Sequence, residues 1–284
     1  MFDFDNAFSR NIGLVSIEEQ HKLKDMTVCI AGMGAVGGDY LISLVRAGVQ
    51  NFHIADFDTY ELSNFNRQYG ASIPSIGKSK VQVMANLAQE INPDINIKVF
   101  EAPVSEENID LFLSNVNFVV NAIDLFVPDA HRLLITNSVQ RSLPVISALP
   151  SGYGAGMVIF DKNSMSFDQY FGHSEKSTKV QKVIQLALGY SPAGYHIKYI
   201  DPNSVDLDNS KGPSSIAGVR LCSAMVTSQV ISGLLGFETL KTAPWYTHID
   251  LRRMKFKHGY LLFGHKNPLQ RLKKTIALSK LSIK

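Results

Sequence analysis

Cysteine is scarce in this chain of 284 residues, which contains only Cys29 and Cys222. Two cysteines cannot build the disulfide framework of a small secreted protein, and they form no CxxC pair that could bind zinc. No apolar run approaches the 18 residues of a membrane-spanning helix, so we expect no transmembrane segment. The acidic start, MFDFD, lacks the features of a secretory signal. These absences predict a reduced, cytoplasmic protein.

Acidic residues are absent from 251–284, where ten Lys and Arg occur. The other 250 residues carry 18 basic and 25 acidic side chains, so an acidic body precedes a basic tail. Hydrophobic residues make up 45% of the chain and charged residues 19%, which is enough apolar material for a core and excludes disorder as the dominant state.

Apolar runs and helical patterns alternate through the first half of the chain. The expected strands are 27–31, 52–56, 95–100, 118–123 and 144–149. The helical patterns between them include 39–47, which Gly48 ends, a pattern that recurs over 81–88 and stops before Pro93, and 129–141. Strands separated by helices are joined by crossovers, so we predict an α/β fold with a Rossmann-like, doubly wound, mainly parallel sheet.

The second half is less regular. The segment 161–213 is rich in Ser, Asn, Asp, Gly and Pro, and we expect one helix there, over 178–188. A long apolar helix is predicted over 215–235, a hairpin over 245–263 that turns at His258-Gly259, and a basic helix over 268–281.

A glycine-rich turn links the first predicted strand to the first helix. In Gly32-Met33-Gly34-Ala35-Val36-Gly37 the first glycine permits a tight turn, the second lets phosphates approach the backbone, and the third lets helix and strand pack closely. The helix N-terminus behind the turn favours a phosphate. Asp56 ends the second strand, where its carboxylate can accept hydrogen bonds from ribose hydroxyls. This context indicates an adenosine nucleotide.

The polar and cationic side chains that follow Asp56 help to distinguish a nucleoside triphosphate from a nicotinamide cofactor. A nicotinamide cofactor has two bridged phosphates and needs few cations, whereas splitting a triphosphate requires Arg, Lys and Mg²⁺ around the pyrophosphate leaving group. Asn64, Arg67 and Lys80 are suitable donors. Asp124 comes at the end of a later strand, where it could hold the metal. Of the neighbouring charges, Lys80 is favoured over Lys78 as the phosphate ligand, and Asp58 is interpreted as a solvated acid.

These motifs resemble those of the ThiF/MoeB/HesA family of ubiquitin-activating-type adenylyltransferases, in a branch without zinc. The resemblance is strong from Arg10 to about Leu149 and weaker from Gly212 to Leu235. It is carried by the segments Ser9–Leu14, Gly32–Gly37, Asp56–Asp58, Ser63–Gln68, Gly77–Lys80 and Ala122–Asp124.

The resemblance implies a homodimer that binds ATP and Mg²⁺ and transfers AMP onto a carboxylate, often at the C-terminus of a protein or peptide. A carboxylate oxygen attacks the α-phosphorus and pyrophosphate leaves; no general base is needed for an ionised nucleophile. Carried over by position, the nucleotide-binding residues are Gly32, Gly34, Ala35, Gly37, Asp56, Asn64 and Gln68. The implied catalytic residues are Arg67, Lys80, Asp124, which is also the Mg²⁺-associated acid, and Arg10, which reaches the γ-phosphate across the dimer interface.

The resemblance also suggests domain boundaries: a helical arm over 1–26, an adenylation domain over 27–240 and a basic extension over 241–284. Within the adenylation domain, 27–150 forms the nucleotide-binding half and 151–240 the substrate half.

The sequence departs from the family in three respects. It lacks the CxxC pairs that bind zinc in many members, so we predict no zinc. No cysteine occurs in 161–213, and Cys29 and Cys222 are interpreted as buried apolar residues, which disfavours a thioester step. Ala35 stands where the family usually has glycine, and we expect this change to leave phosphate binding intact.

Other functions stay open at this stage. A tRNA-modifying, ATP-dependent dehydratase uses the same adenylation chemistry, a nicotinamide-dependent oxidoreductase would share only the glycine turn and Asp56, and a nucleotide-sensing subunit would bind ATP without turnover. The basic tail could dock on the acidic body, lie on an anionic membrane surface, or bind RNA or an acidic partner.

Overall fold

A computed structural model describes residues 2–207 and 209–281 and has the predicted α/β fold. The chain divides into two compact units. The first comprises Met1–Ala122 with Ser223–Leu240, and the second comprises Ile123–Cys222 with Lys241–Lys284. Residues 282–284 of the predicted basic extension lie outside the described residues.

The first unit contains a parallel four-stranded sheet. Its strands are β1 (Thr27–Ala31), β2 (Asn51–Ala55), β3 (Asn96–Phe100) and β4 (Phe118–Asn121), in the order β3-β2-β1-β4. All side chains of β4 are buried, as expected for a strand covered on both faces. Because the strands are parallel, the carboxyl ends of β1 and β2 meet at one edge, where Ala31 pairs with Ala55.

Five helices of the first unit precede or connect these strands. They are α1 (Phe4–Ala7), α2 (Ile17–Asp25), α3 (Ala35–Arg46), α4 (Lys80–Ile91) and α5 (Ile109–Phe112). Helix α3 begins at Ala35, earlier than the predicted 39, because Gly34 serves as its N-cap directly after the glycine turn. It ends where predicted, since Gly48 adopts a φ of +96° after the last turn.

The second unit contains four antiparallel strands. They are β5 (Val145–Ser151), β6 (Gly154–Phe160), β7 (Trp245–Asp250) and β8 (Lys255–Tyr260), paired in chain order. Its helices are α6 (Pro128–Gln140), α7 (Phe167–Phe171), α8 (Lys179–Tyr190) and the basic α10 (Pro268–Leu281), whereas α9 (Ile216–Leu235) crosses the division of the chain.

The hairpin of β7 and β8 turns at 251–254, and the predicted turn at His258-Gly259 is wrong. Gly259 lies inside β8 opposite Tyr246. A side chain at Gly259 would come within 2.8 Å of the Tyr246 ring, so this glycine permits close packing of the strands. The turn itself is closed by Met254, whose φ is +50°.

Helix α9 is long and apolar enough to cross a membrane by length and composition alone, although the sequence predicts no such segment. Its buried residues recur every three or four positions, at Val219, Cys222, Val226, Val230 and Leu234. This spacing is that of a core helix with one buried stripe.

The segment 161–213 contains α7 in addition to the one helix predicted there. Ser166 and Thr178 start α7 and α8 with capping boxes, in which the side chain accepts from the backbone three residues on. The Ser and Thr content that indicated irregular chain therefore also begins two helices.

Candidate active site

The glycine turn between β1 and α3 has the geometry that its spacing predicts. Gly32 adopts a φ of +99°, which favours glycine. A Cβ at Gly37 would lie 1.8 Å from the Gly32 carbonyl oxygen, so helix and turn approach more closely than any side chain allows. The space around Gly34 is open, because a Cβ at this position would have only the Gln68 amide nitrogen within 4 Å, at 3.9 Å.

Asp56 connects the end of β2 to this turn. One carboxylate oxygen accepts a hydrogen bond from the Met33 N–H at 2.6 Å, and the other accepts from the Asp58 N–H at 2.8 Å. Burial raises the pKa of Asp56, although these two bonds favour the charged form. Each carboxylate oxygen has a second lone pair, so the residue can still accept bonds from ribose hydroxyls.

Lys80 is a buried cation at the start of α4. Its side chain is only 8% exposed, and its Nζ lies 2.9 Å from Oδ2 of Asp58, which is 52% exposed. Lys78, the alternative phosphate ligand, is exposed. Asp58 is thus the partner of Lys80, and its interpretation as a solvated acid missed this ion pair.

Asn64, Arg67 and Gln68 lie on one turn after β2. The Asn64 carbonyl accepts from the N–H groups of Arg67 and Gln68, and its buried side chain accepts from the Glu61 N–H at 3.0 Å. The Arg67 guanidinium donates to the Ser63 carbonyl at 3.0 Å, and no carboxylate in 2–207 or 209–281 forms an ion pair with it. Oε1 of the buried Gln68 has no partner among the same residues.

Two predicted catalytic residues, Arg10 and Asp124, take part in none of the hydrogen bonds described above. Arg10 is an exposed residue on a short 3₁₀ turn, Ser9–Asn11. Asp124 belongs to the second unit, where its exposed carboxylate accepts from the Phe126 N–H at 2.9 Å and its carbonyl contacts His131 Nε2 at 3.0 Å. A hydrogen bond therefore joins Asp56 to the glycine turn, and the Gln68 amide lies near Gly34, whereas the roles of Arg10 and Asp124 stay predictions.

Both cysteines are fully buried, as predicted. Burial raises the pKa of the Cys29 thiol, which disfavours the reactive thiolate. No group of three or more His, Cys, Asp or Glu side chains in the described part of the chain is arranged to hold a metal ion.

Comparison with known proteins identifies the family. The ThiF family matches residues 8–271, which is most of the chain. The chain belongs to the ThiF family. This assignment confirms the resemblance read from the glycine turn and the motifs after it.

Two curated relatives align with about half of this ThiF-family chain. The tRNA threonylcarbamoyladenosine dehydratase of Bacillus subtilis is 30% identical over 145 residues, covering 51% of this chain and 56% of the relative. The adenylyltransferase and sulfurtransferase UBA4 of Meyerozyma guilliermondii is 32% identical over 133 residues, covering 46% and 31%. The chain thus spans about half or less of the length of these relatives.

A solved structure extends the similarity of fold to nearly the whole chain. The crystal structure of Escherichia coli MccB with ATP has a TM-score of 0.69 and 17% identity, and the match covers 94% of this chain and 74% of MccB. At this identity the match supports the fold alone.

Proposed function

We propose that this ThiF-family protein is an ATP-dependent adenylyltransferase that converts a carboxylate, at the C-terminus of a protein, peptide or peptide-like substrate, into an acyl-adenylate. The observation that carries the proposal is the combination of a glycine turn with a buried lysine and an arginine that has no acidic partner in the described residues. Triphosphate binding requires such cations, whereas a dinucleotide is satisfied by the turn alone.

The residues around the turn suit ATP in specific ways. Open space at Gly34 admits phosphate oxygens to the N-terminus of α3, where backbone N–H groups favour an anion. The unpartnered oxygen of Gln68, close to Gly34, suits a hydroxyl or amino donor of the nucleoside. Asp56 is already oriented by two backbone N–H groups, so little ordering is needed for it to receive ribose hydroxyls.

The proposed reaction needs positioning and charge neutralisation. An oxygen of the substrate carboxylate attacks the α-phosphorus, the bond from that phosphorus to the bridging oxygen breaks, and pyrophosphate leaves with the electron pair. Arg67 and Lys80 neutralise the charge that develops on the leaving group. The nucleophile is ionised at neutral pH, so no side chain has to remove a proton.

We assign Asp124 as the acid associated with Mg²⁺. The ion would offset the negative charge of the pyrophosphate leaving group. Protein sites for Mg²⁺ commonly use one or two carboxylates with substrate phosphates and water. That pattern needs no preformed cluster of acids, and the Asp124 side chain is exposed.

We further propose that the active form is a homodimer in which Arg10 reaches the partner's ATP. Arg10 is exposed, and three apolar residues that follow it are also exposed, with Ile12 at 43%, Leu14 at 85% and Ile17 at 56%. Apolar side chains grouped around an arginine are typical of the centre of an interface. We place the reaction in the cytoplasm and expect no zinc.

Exchange of labelled pyrophosphate into ATP tests the main proposal. The purified chain is assayed with Mg²⁺ and with small proteins encoded beside its gene that end in a free carboxylate. We expect exchange that requires the substrate and is abolished when its C-terminus is amidated. Normal ATP binding with no exchange for any carboxylate would favour a nucleotide-sensing subunit, and tighter binding of NADH than of ATP–Mg²⁺ in calorimetry would favour an oxidoreductase.

A tRNA-modifying dehydratase is the second candidate, favoured by the 30% identity to the B. subtilis dehydratase. It would activate the carboxylate of a modified nucleoside and cyclise it with loss of water. Mass spectrometry of nucleosides from tRNA incubated with enzyme and ATP tests this function. A product lighter by one water supports the dehydratase, whereas unchanged tRNA beside exchange with a protein carboxylate supports the first proposal.

A further inference from the structure

A cleft of about 460 Å³ lies between α8 and α10, wholly within the second unit. The buried rings of Tyr170 and Phe171 and the side chain of Leu261 contribute apolar surface to its lining. Its volume is in the range of small-molecule sites, which are typically apolar with a few polar groups. None of the residues predicted to bind ATP contributes to it.

Gly172 allows one wall of this cleft to form. It adopts a φ of +77°, and a Cβ there would lie 2.6 Å from the His265 ring and 2.7 Å from Gln185 Nε2. Without that side chain, Gln185 Nε2 donates to the Gly172 carbonyl at 2.8 Å, and His265 Nδ1 donates to the Gln169 carbonyl at 2.8 Å. Both polar side chains are thereby anchored by backbone carbonyls at the cleft.

Helix α10 presents its polar residues to the cleft and leaves apolar ones in solvent. Gln270 is only 8% exposed, whereas Leu269 is 65% and Leu272 57% exposed. An amphipathic helix that only docked on the body would bury the leucines. The orientation of α10 places the charged residues Arg271 and Lys274 on the cleft lining.

The described residues that line the cleft include cations and no acid. Lys266, Arg271 and Lys274 line it, without Asp or Glu, and none of the three forms an ion pair with residues 2–207 or 209–281. Burial lowers the pKa of the partly buried Lys274 ammonium. A partly desolvated cation without a counter-ion is unfavourable, and a multiply charged anion would relieve that penalty.

Two amides supply hydrogen-bond acceptors at the same place. Gln185 and Gln270 both line the cleft, and the side-chain oxygen of each is buried without a partner in the described residues. Their nitrogens point to backbone carbonyls, of Gly172 and of Pro192. Unsatisfied buried oxygens call for N–H or O–H donors, which an inorganic anion such as phosphate supplies poorly.

We propose that this cleft is a second nucleotide site that binds a nucleoside monophosphate. The phosphate would contact Arg271, Lys274 and Lys266, the base would pack on the apolar surface, and amino or hydroxyl groups of the nucleoside would donate to Gln185 and Gln270. The ligand is either a free nucleotide or one unit of an RNA strand. The inference does not depend on the adenylation proposed for the first unit.

Calorimetric titration of the full-length protein at about 50 mM salt tests the site, with GMP, CMP, inorganic phosphate, guanosine and a short oligoribonucleotide as ligands. Lys274→Met keeps the apolar stem and removes the charge. Lys257→Met removes the same charge from an exposed position on β8, outside the cleft, and serves as the matched control. Arg67→Ala reports on the first unit, and thermal unfolding of each variant verifies folding.

We expect a mononucleotide to bind more tightly than phosphate or guanosine. Lys274→Met and Arg271→Ala should each weaken mononucleotide binding by about tenfold or more, because each removes one charged hydrogen bond to the phosphate. Lys257→Met should change the affinity less than about twofold, and Arg67→Ala should abolish pyrophosphate exchange without affecting GMP binding. If a mononucleotide and an RNA with a terminal phosphate bind with equal affinity, the site recognises one nucleotide unit that either ligand can supply. If the mononucleotide binds more tightly, the ligand is a free nucleotide.

Three results would overturn the site. Equal losses of mononucleotide affinity in Lys257→Met and Lys274→Met would mean that the nucleotide is attracted by the general positive charge of this region and does not bind in the cleft. Binding of the oligoribonucleotide alone would mean a surface for the RNA backbone, and equal binding of phosphate and GMP would mean that the amides and apolar surface contribute nothing. Failure of pyrophosphate exchange in the wild-type protein would leave these outcomes unaffected.

Discussion

Lys80 and Asp58 form an ion pair in which the lysine side chain is buried and the carboxylate is half exposed. The pair lies next to Asp56, whose carboxylate accepts the N–H of Asp58. Because removing an unpaired lysine charge from water is unfavourable, Asp58 holds Lys80 in place before a nucleotide arrives. An arriving phosphate would find a cation that is already positioned beside the predicted ribose acceptor.

The first prediction compares the two lysines around residue 79. Lys80→Ala should lower the rate of substrate-dependent pyrophosphate exchange by about 10²-fold or more, because one preorganised cation on the leaving group is lost. Lys78→Ala removes an exposed lysine two residues away and should retain activity within about twofold. Similar losses in both variants would contradict the assignment of Lys80.

The second prediction separates the roles of two turn glycines. Gly37→Ala should lower the free energy of unfolding by about 3 kcal/mol or more, because its Cβ meets the Gly32 carbonyl at 1.8 Å. Gly34→Ala should lower it by no more than about 1 kcal/mol, since the space there is open. It should nevertheless weaken ATP binding by about tenfold or more by obstructing the phosphate.

Denaturant unfolding and ATP titration of both glycine variants provide the measurement. Wild-type ATP affinity in a folded Gly34→Ala variant would place the phosphate away from the turn. Wild-type stability of Gly37→Ala would contradict the close approach of helix and turn.

The third prediction concerns the proposed contribution of Arg10 to the partner's site. Arg10→Ala and Arg67→Ala should each be inactive alone. Coexpressed with different tags, they should form mixed dimers in which one of the two sites is intact, so the purified mixed dimer should regain about half of wild-type activity. Pyrophosphate exchange of the doubly purified mixed dimer is the measurement, and no recovery in a verified mixed dimer would contradict sharing across the interface.

The fourth prediction is an acid-sensitive stability that originates in two buried histidines. Burial lowers the pKa of His131 and of His248 to about 4, whereas the unfolded chain binds these protons near pH 6.5. The contribution of each neutral histidine to the free energy of unfolding is therefore complete above pH 6.5. It is lost as the pH falls towards 4, by about 3 kcal/mol for each residue.

Denaturant unfolding at pH 7.5 and at pH 5 measures this dependence. His131→Asn and His248→Asn should each reduce the difference in unfolding free energy between the two pH values. His258→Asn replaces an exposed histidine on β8 and should leave the difference unchanged. An unaltered pH dependence in both buried variants would contradict the assignment.

The fifth prediction addresses the fate of the activated carboxylate. Cys29 and Cys222 are fully buried, so a Cys29→Ala, Cys222→Ala double variant should retain pyrophosphate exchange and product formation within about threefold. Mass spectrometry should detect no thioester between enzyme and substrate. A thioester that disappears in the double variant would show that one buried thiol becomes accessible during turnover.

Features that depend on local pattern could be predicted from the amino-acid sequence. The spacing of Gly32, Gly34 and Gly37 predicts a turn between strand and helix, because the first glycine permits a tight turn and the third permits close packing of helix and strand. Alternation of apolar runs with helical periodicity predicts the strands and crossovers of the first unit. The motifs after Asp56 were specific enough in combination to indicate the family.

Contacts between residues distant in the chain could not be predicted and became visible in the folded protein. Sequence pattern did not connect Asp58 to Lys80, and it assigned Gly259 to a turn although that glycine makes room for Tyr246 across two strands. It also left open where the basic helix α10 lies, and the fold buries Gln270 of that helix while Leu269 and Leu272 stay exposed. The physical reason is that periodicity reports the burial expected of one element, while ion pairs, close approaches and cleft walls depend on the neighbour that another part of the chain supplies.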